Sequence, residues 1–450
     1  MPTEASEREL LRLVGVLLLG AMAALLDTTI VSIAYDDLTR AFRAGVSQVQ
    51  WVGTAYLLAM VAVIPAMGYL SERFGTRRLW LATLSLFLTG SVLCSMAWSI
   101  ESLIAFRVVQ GLGAGLILPL VLAILAAEAG PRRVGRAMGL VGIPGQLAPM
   151  LGPVAGGVIV ASLGWRWIFL VNVPIGVTAI LLAHRHLHPN STRTDTRLDR
   201  RGLALLIPAV ILLMAGLSIA DQQWTMSAGL AAIGAVLVVA FIGHARAQGE
   251  KALVDLTLLR KGSFAIAALL VFLSGACLYG PMLLMPLFFQ RARGFEVDQV
   301  GWLLAPQGLG LMLALWFAGR WADRSGPRIV ATLGAAALVG GLALFAWFDE
   351  APTGVLGCAL FVMGAGFGGI GAGTSTASYR DVAKDRIPRA ASLLSVVQRI
   401  GASLGTVVAA LILGATGTTF GPAFTAILVL TVAVLVVTRF LPSSPVEKRE

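Results

Sequence analysis

Charge is scarce in this 450-residue chain: Asp, Glu, Lys and Arg make up 13% of it, against 57% apolar residues. With a mean hydropathy of +0.85, a water-soluble fold is excluded, because no such fold could hide that much apolar surface. Cysteine is sparse as well. Cys94, Cys277 and Cys358 each fall in an apolar run without paired spacing, which argues against a disulfide framework or thiolate metal site and predicts three free, buried thiols. No Gly-Lys pair occurs anywhere. A phosphate-binding loop of the ATPase type is therefore absent, and any energy must come from an ion gradient or the substrate's own. His184, His186 and His188 lack carboxylate or thiol support and read as a solvated loop rather than a metal clip. Gly366-Phe-Gly368-Gly-Ile-Gly371 fits a dinucleotide pattern literally, but it lies within an apolar run and follows no strand. Neither a metal nor a cofactor is expected.

What is present is a succession of long apolar runs, each near the roughly 20 residues that cross a hydrocarbon core. They are too long and too unalternating for barrel strands, so the fold class is an all-α integral membrane protein. The first run is too long for a signal-peptide core, lacks a clear cleavage site and should remain as the first span. Fourteen spans are expected from 12–33 to 421–441, with the fifth at 137–160, a short sixth at 168–183, and the seventh and eighth at 202–220 and 227–243. The 51 glycines sit largely within these runs, where small residues let helix backbones approach closely. Most Lys and Arg fall on the side holding both termini; Arg40, Arg43, Arg166, Arg291 and Arg293 fall on the other. By the positive-inside rule both termini are cytoplasmic. The formal net charge of +11 has the same origin. Dispersed among short loops, it offers no contiguous basic face to a nucleic acid.

A shift of 251 residues lays Val46-Ser-Gln48-Val-Gln-Trp51 on Val297-Asp-Gln299-Val-Gly-Trp302. In the same register Gly68, Glu72, Arg73, Gly75 and Arg77 fall on Gly319, Asp323, Arg324, Gly326 and Arg328. Two pseudo-symmetric six-helix bundles follow, at 1–200 and 245–450. The offset is larger than six spans need, so 201–244 is expected to be an inserted transmembrane hairpin. Parallel repeats of this kind are a known plan for transporters.

Charge inside a span costs about 2.5–3.5 kcal/mol on insertion scales and marks a partner or a cavity. Asp27 and Arg107 lie at similar depth, roughly 10 Å below the external surface at 1.5 Å per residue, and can pair if their spans are neighbours. Burial favours the neutral carboxyl and a nearby arginine the charged one, so the pair can load and release a proton as its surroundings change; a permanent ion pair pinning two helices is the plainer alternative. Gln110, one turn from Arg107, is placed to hold the guanidinium or to contact substrate. Gln398 and Arg399, near mid-depth in the thirteenth span, are candidates for a polar or anionic substrate group, or for backbone carbonyls of a broken helix. The two repeated turns, Gly68 to Arg77 and Gly319 to Arg328, read as gates or as tight basic anchors. Gly152-Pro153 with Gly156-Gly157 gives the fifth span a smooth, kinkable face.

These residues resemble the major facilitator superfamily, specifically its fourteen-span drug:proton antiporter branch. Gly68-Tyr-Leu-Ser-Glu72-Arg73-Phe-Gly75-Thr-Arg77 looks like the signature turn, with Glu72 where an aspartate is more usual. Arg107-Val-Val-Gln110-Gly111-Leu-Gly113 is similar to the proton-transfer motif, and Leu26-Asp27-Thr28-Thr29 to the branch-specific motif of the first span. Trp165 to Gly176 resembles the characteristic run into span six. The span-five glycines resemble the antiporter motif, with Ala148 where an earlier glycine is usual. The resemblance implies proton-coupled export of lipophilic small molecules or drugs by a bacterial inner-membrane protein, with small-molecule substrate, protons and the bilayer as its partners; a monomer is expected. No acid lies well within a span of the second half, so lipophilic monocations, neutral compounds or anions are expected rather than dications. Proton-coupled uptake of a small metabolite, or a non-transporting membrane sensor on the same fold, are the competing readings.

Overall fold

The computed structural model describes residues 7–129, 155–187, 198–218, 224–249, 252–260, 262–348, 350–380, 382–416 and 419–442. Long helices dominate. Twelve of them, among the described residues, are long and apolar enough to cross a membrane, because in lipid a helix satisfies every backbone amide within itself. In chain order the principal helices are α1 (Glu7–Ile30), α2 (Val46–Val63) continuing through a tight turn at Ile64–Ala66 into α3 (Met67–Phe74), α4 (Thr76–Ser95), α5 (Ile100–Ala129) and α6 (Asn172–His186). Next come α7 (Arg200–Ser218), α8 (Trp224–Gln248), α9 (Gly262–Leu287), α10 (Val297–Ser325), α11 (Pro327–Trp347), α12 (Thr353–Arg380), α13 (Ile387–Thr416) and α14 (Gly421–Thr438). Most of the expected fifth span, including Gly152 and Pro153, lies outside the described residues. Helix α7, 19 residues long, is present and packs along α8, but is not among those twelve.

The helices alternate in direction, so one end of the bundle gathers Arg73, Arg77, Arg78, Arg185, Arg324 and Arg328. It is called the basic end here, and the other the far end.

The 251-residue repeat survives as geometry. Gly75 closes α3 with φ 79 and ψ 150; Gly326 closes α10 with φ 88 and ψ 151. At the far end, Gly45 and Glu296 start the matching helices with nearly identical backbone angles, φ −69, ψ 153 and φ −71, ψ 156, and each N–H donates to a glutamine three residues on, Gln48 or Gln299. Even the left-handed residues just before them correspond, Arg43 with φ 50 and Gly294 with φ 70.

Among the described residues two large apolar cores form, with two smaller clusters beside them. One runs through α1 to α6 and takes in the start of α13; the other fills the second half around Phe288, Phe345 and Phe424. Between the halves, the contacts concentrate at the basic end, where α13 lies across α3, α5 and the Ile64–Ala66 turn. One thiol differs from expectation: Cys94 and Cys277 are buried, but Cys358 is exposed, because it sits on the outer face of α12 while the glycine-rich face packs on α10 and α11. The first two glycines of the literal dinucleotide pattern belong to that packed face, where Gly364 and Gly368 meet α10 and Gly366 meets α11, while Gly371 faces open space.

Candidate functional site

Asp27, three residues before the end of α1, faces Arg107 and Gln110 of α5, Ser91 of α4 and Asn172 at the first turn of α6. All five are buried, with Asp27 and Gln110 at 0% exposure and Arg107 at 1%. Close helix approach makes this possible. Gly111 and Gly115 bring α5 against the Tyr56 and Met60 carbonyls of α2, and Gly90 of α4 lies against the backbone of Gln110; a methyl group at any of the three would strike backbone. Arg107 is thereby carried between its neighbours instead of out to lipid.

The polar groups satisfy one another. The Arg107 Nη1 donates to Asp27 Oδ2 at 2.5 Å and to Gln110 Oε1 at 2.7 Å, and its Nε donates to the Val52 carbonyl at 3.1 Å. The other Asp27 oxygen accepts from Gln110 Nε2 and from Asn172 Nδ2, both at 2.9 Å. Ser91 Oγ accepts from the same two amides, at 3.2 and 3.1 Å, and donates to the Phe169 carbonyl at 2.8 Å. Tyr56 lies under the guanidinium, its ring centroid 3.8 Å from Cζ, while its hydroxyl donates to the Ala24 carbonyl at 3.3 Å. Burying two charges costs several kcal/mol per ion before any interaction is counted, on the order of what this density of charge-assisted hydrogen bonds returns. The consequence is a neutral pair held in one geometry. Gln110 is fully engaged in this arrangement, holding both the guanidinium and the carboxylate.

Asn172, Ser91, Tyr56 and Phe169 were not singled out from sequence as site residues. Only Asn172 and Phe169 had a signal, since they fall in the Trp165–Gly176 run; a serine or tyrosine in an apolar helix carries none.

The first repeated turn forms a second cluster. Arg389, at the start of α13, donates to Glu72 from both Nε and Nη2, the latter at 2.6 Å from Oε2. Gly68 makes room for it: a Cβ there would stand 3.2 Å from Arg389 Cγ and 3.4 Å from its Cα. One turn on, Ser392 Oγ donates to the Ile64 carbonyl at 3.2 Å. Arg77 points elsewhere, its Nη2 donating to the His184 carbonyl at 2.6 Å and so tying α4 to the end of α6. Arg73 sits in the last turn of α3. In the second turn Gly326 and Arg328 occupy the corresponding places, Gly319 lies within α10 and Arg324 is exposed, while the side chain of Asp323 lies outside what is described.

The remaining candidates do not join either cluster. Gly156 packs on Ile30 of α1, and Gly157 faces open space. Gln398 is exposed and Arg399 half-buried on α13; neither shares a hydrogen bond with the Asp27 group, and the Arg399 side chain has no polar partner among the described residues. Three or more His, Cys, Asp or Glu placed to hold a metal are not found among the described residues.

A family model described as Major Facilitator Superfamily matches residues 17–295 and 264–450. The chain is 38% identical over 413 residues to the multidrug resistance protein B homolog of Mycobacterium tuberculosis, covering 90% of this chain and 76% of that protein. Among solved structures, it superposes on the human organic anion transporter MFSD10 with a TM-score of 0.69 at 18% identity, covering 97% of this chain and 100% of that one. The proton:xylose symporter XylE gives a TM-score of 0.65 at 16% identity, with 97% of each chain covered.

Proposed function

The chain belongs to the Major Facilitator Superfamily, a family of membrane transporters and not of enzymes, and from that premise we propose that it is a proton-coupled antiporter exporting lipophilic small molecules or drugs by alternating access. The observation that carries the reading is the buried Asp27–Arg107 pair. A helix clamp would need no charge, since small residues pack helices more cheaply. The 38% identical relative named for multidrug resistance supports a drug as cargo.

In this proposal Asp27 is the proton site. When a proton neutralises it, Arg107 loses its counter-charge but keeps the Val52 carbonyl, Gln110 Oε1 and the Tyr56 ring, so the guanidinium is not orphaned. Gln110 and Asn172, both donors to Oδ1, then face a carboxyl that must itself donate from one oxygen, and the three helices carrying these groups readjust. Glu72–Arg389 is the gate at the basic end. With that end cytoplasmic, as the distribution of arginines favours, the closed gate seals the cytoplasmic side, and Asp27, buried here, takes up an external proton only when the far end opens. The proton gradient is the energy source, with no cofactor.

The finer architecture belongs to the same proposal: fourteen spans in the bacterial inner membrane, both termini cytoplasmic, arranged as bundles 1–200 and 245–450 around the hairpin 201–244, functioning as a monomer. The packing of α7 on α8 supports the hairpin. Substrate contacts are assigned to Gln398 and Arg399, whose side chains the Asp27 cluster leaves uncommitted, and Gln110 becomes available to substrate only if the cluster opens.

Proton flux in energised inverted vesicles tests the proposal, using a panel of lipophilic monocations, neutral antibiotics and organic anions. A compound that dissipates the gradient with the parent protein and not with Asp27→Asn supports export coupled through Asp27. Equal responses from both proteins would move coupling elsewhere, and proton entry together with substrate would make the protein an uptake symporter.

A further inference from the structure

A groove of about 550 Å³ lies at the basic end between α7, α8, the Leu256–Arg260 turn and α13. Its walls are apolar: Leu206 of α7, Val238 and Phe241 of α8, and Val396 and Ile400 of α13. Its mouth is not. Arg246, in the last turns of α8, and Arg260, just before α9, both line the groove and are both exposed. Among the described residues, neither has a hydrogen-bond or ion-pair partner and no acidic side chain lines the groove. Asp255, between the lining residues Val254 and Leu256, is turned away: it is 1% exposed, accepts from the N–H and Oγ1 of Thr257 and faces Arg386 at 3.9 Å.

From Arg246 down to Val238 is two turns of helix, about 12 Å, so the groove runs from a cationic mouth into the apolar depth of the bundle. A small hydrophilic anion would leave the apolar walls empty, and a neutral lipophile would leave the arginines unused. An amphiphile with an anionic head and a hydrocarbon tail uses both, and the surrounding bilayer supplies one.

We propose that this groove binds one anionic phospholipid, its phosphate on Arg246 and Arg260 and an acyl chain between the α7–α8 hairpin and α13. The site gives the hairpin a task. Helix α7 packs on both α2 and α13, one from each half, and α13 also carries Arg389, two turns from Val396. A chain lodged there braces α13 in the position that closes the Glu72–Arg389 contact. The proposal rests on membrane embedding and on these residues, and is independent of what the protein transports.

Native mass spectrometry of the full chain, released from mixed micelles of phosphatidylglycerol and phosphatidylethanolamine with identical acyl chains, tests it. The parent should retain one phosphatidylglycerol in preference to phosphatidylethanolamine. Arg246→Gln with Arg260→Gln should lower phosphatidylglycerol retention at least about fivefold, in keeping with the electrostatic contribution of two arginines near a bilayer surface, and leave phosphatidylethanolamine unchanged. Val396→Trp, which fills the groove with the arginines intact, should lower it comparably. Arg78→Gln with Arg185→Gln, two other exposed arginines of the basic end, should not. Retention unchanged in either groove variant, or lost equally in the Arg78 and Arg185 control, would overturn the site.

Discussion

Asp27 has both carboxylate oxygens engaged by donors from two other helices, and that is what separates it from an acid merely tolerated in a membrane. The fork of Arg107 matters as much as its charge, because it reaches Asp27, Gln110 and the Val52 carbonyl together. A lysine brings a point charge that cannot span all three. Arg107→Lys is therefore expected to fold but to lose at least about tenfold in transport rate, whereas Arg107→Ala leaves a buried carboxylate uncompensated and should cost about 3–5 kcal/mol of stability. Thermal unfolding in detergent and vesicle transport, measured on both variants, check this; a lysine variant as active as the parent would show that charge alone suffices. Asn172→Ala removes one donor and should cost about 1–3 kcal/mol, read by the same unfolding assay. Asp27, Arg107 and Gln110 were legible in the sequence because charge in an apolar run is rare and because i and i+3 share a helix face. Ser91 and Tyr56 were not, since nothing about an uncharged residue tells which neighbouring helix it will meet.

Among elements, the repeated turns are the clearest case of sequence dictating shape. Gly75 and Gly326 share a positive-φ, extended-ψ backbone that is essentially confined to glycine and that a Cβ disfavours by roughly 1–3 kcal/mol. Gly75→Ala and Gly326→Ala should each lower the unfolding temperature by a similar amount, and unequal losses would mean that the two turns are not mechanically equivalent. The start of α7 gives a pH-dependent prediction. Burial pushes the Asp199 carboxyl up, but the Gly202 and Leu253 N–H groups and His244 together outweigh it and hold it below the ordinary value of 3.8. Its contribution to stability is therefore fully present above that value and is lost as pH falls through the lowered one. Asp199→Ala should remove this acid-range dependence from the unfolding curve and cost about 1 kcal/mol at neutral pH as a lost helix cap. The turn glycines were readable from spacing alone. The Asp199–His244 contact was not, because it joins the two ends of a helical hairpin.

Across the whole molecule, the Glu72–Arg389 ion pair joins the two halves at the basic end. Glu72→Gln should weaken that closure by about 2 kcal/mol, on the order of a thirtyfold shift in the ratio of closed to open forms. Labelling of a cysteine placed at Ser392 should accelerate accordingly, and Glu72→Arg combined with Arg389→Glu should bring it back toward the parent rate; unchanged labelling would remove the pair from gating. By itself the sequence determined the solvent, the helical class, the internal repeat and the identity of the buried charges, since each follows from local composition or periodicity along one chain. Which helices touch was decided only by the tertiary structure. Arg389 lies 317 residues from Glu72 and Asn172 lies 145 from Asp27, and no local pattern encodes such a distance. The physical reason is that lipid exerts no preference among equally apolar helix faces, so neighbours are selected by the shape of small-residue seams and by the hydrogen bonds available across them, and both exist only once the helices have packed.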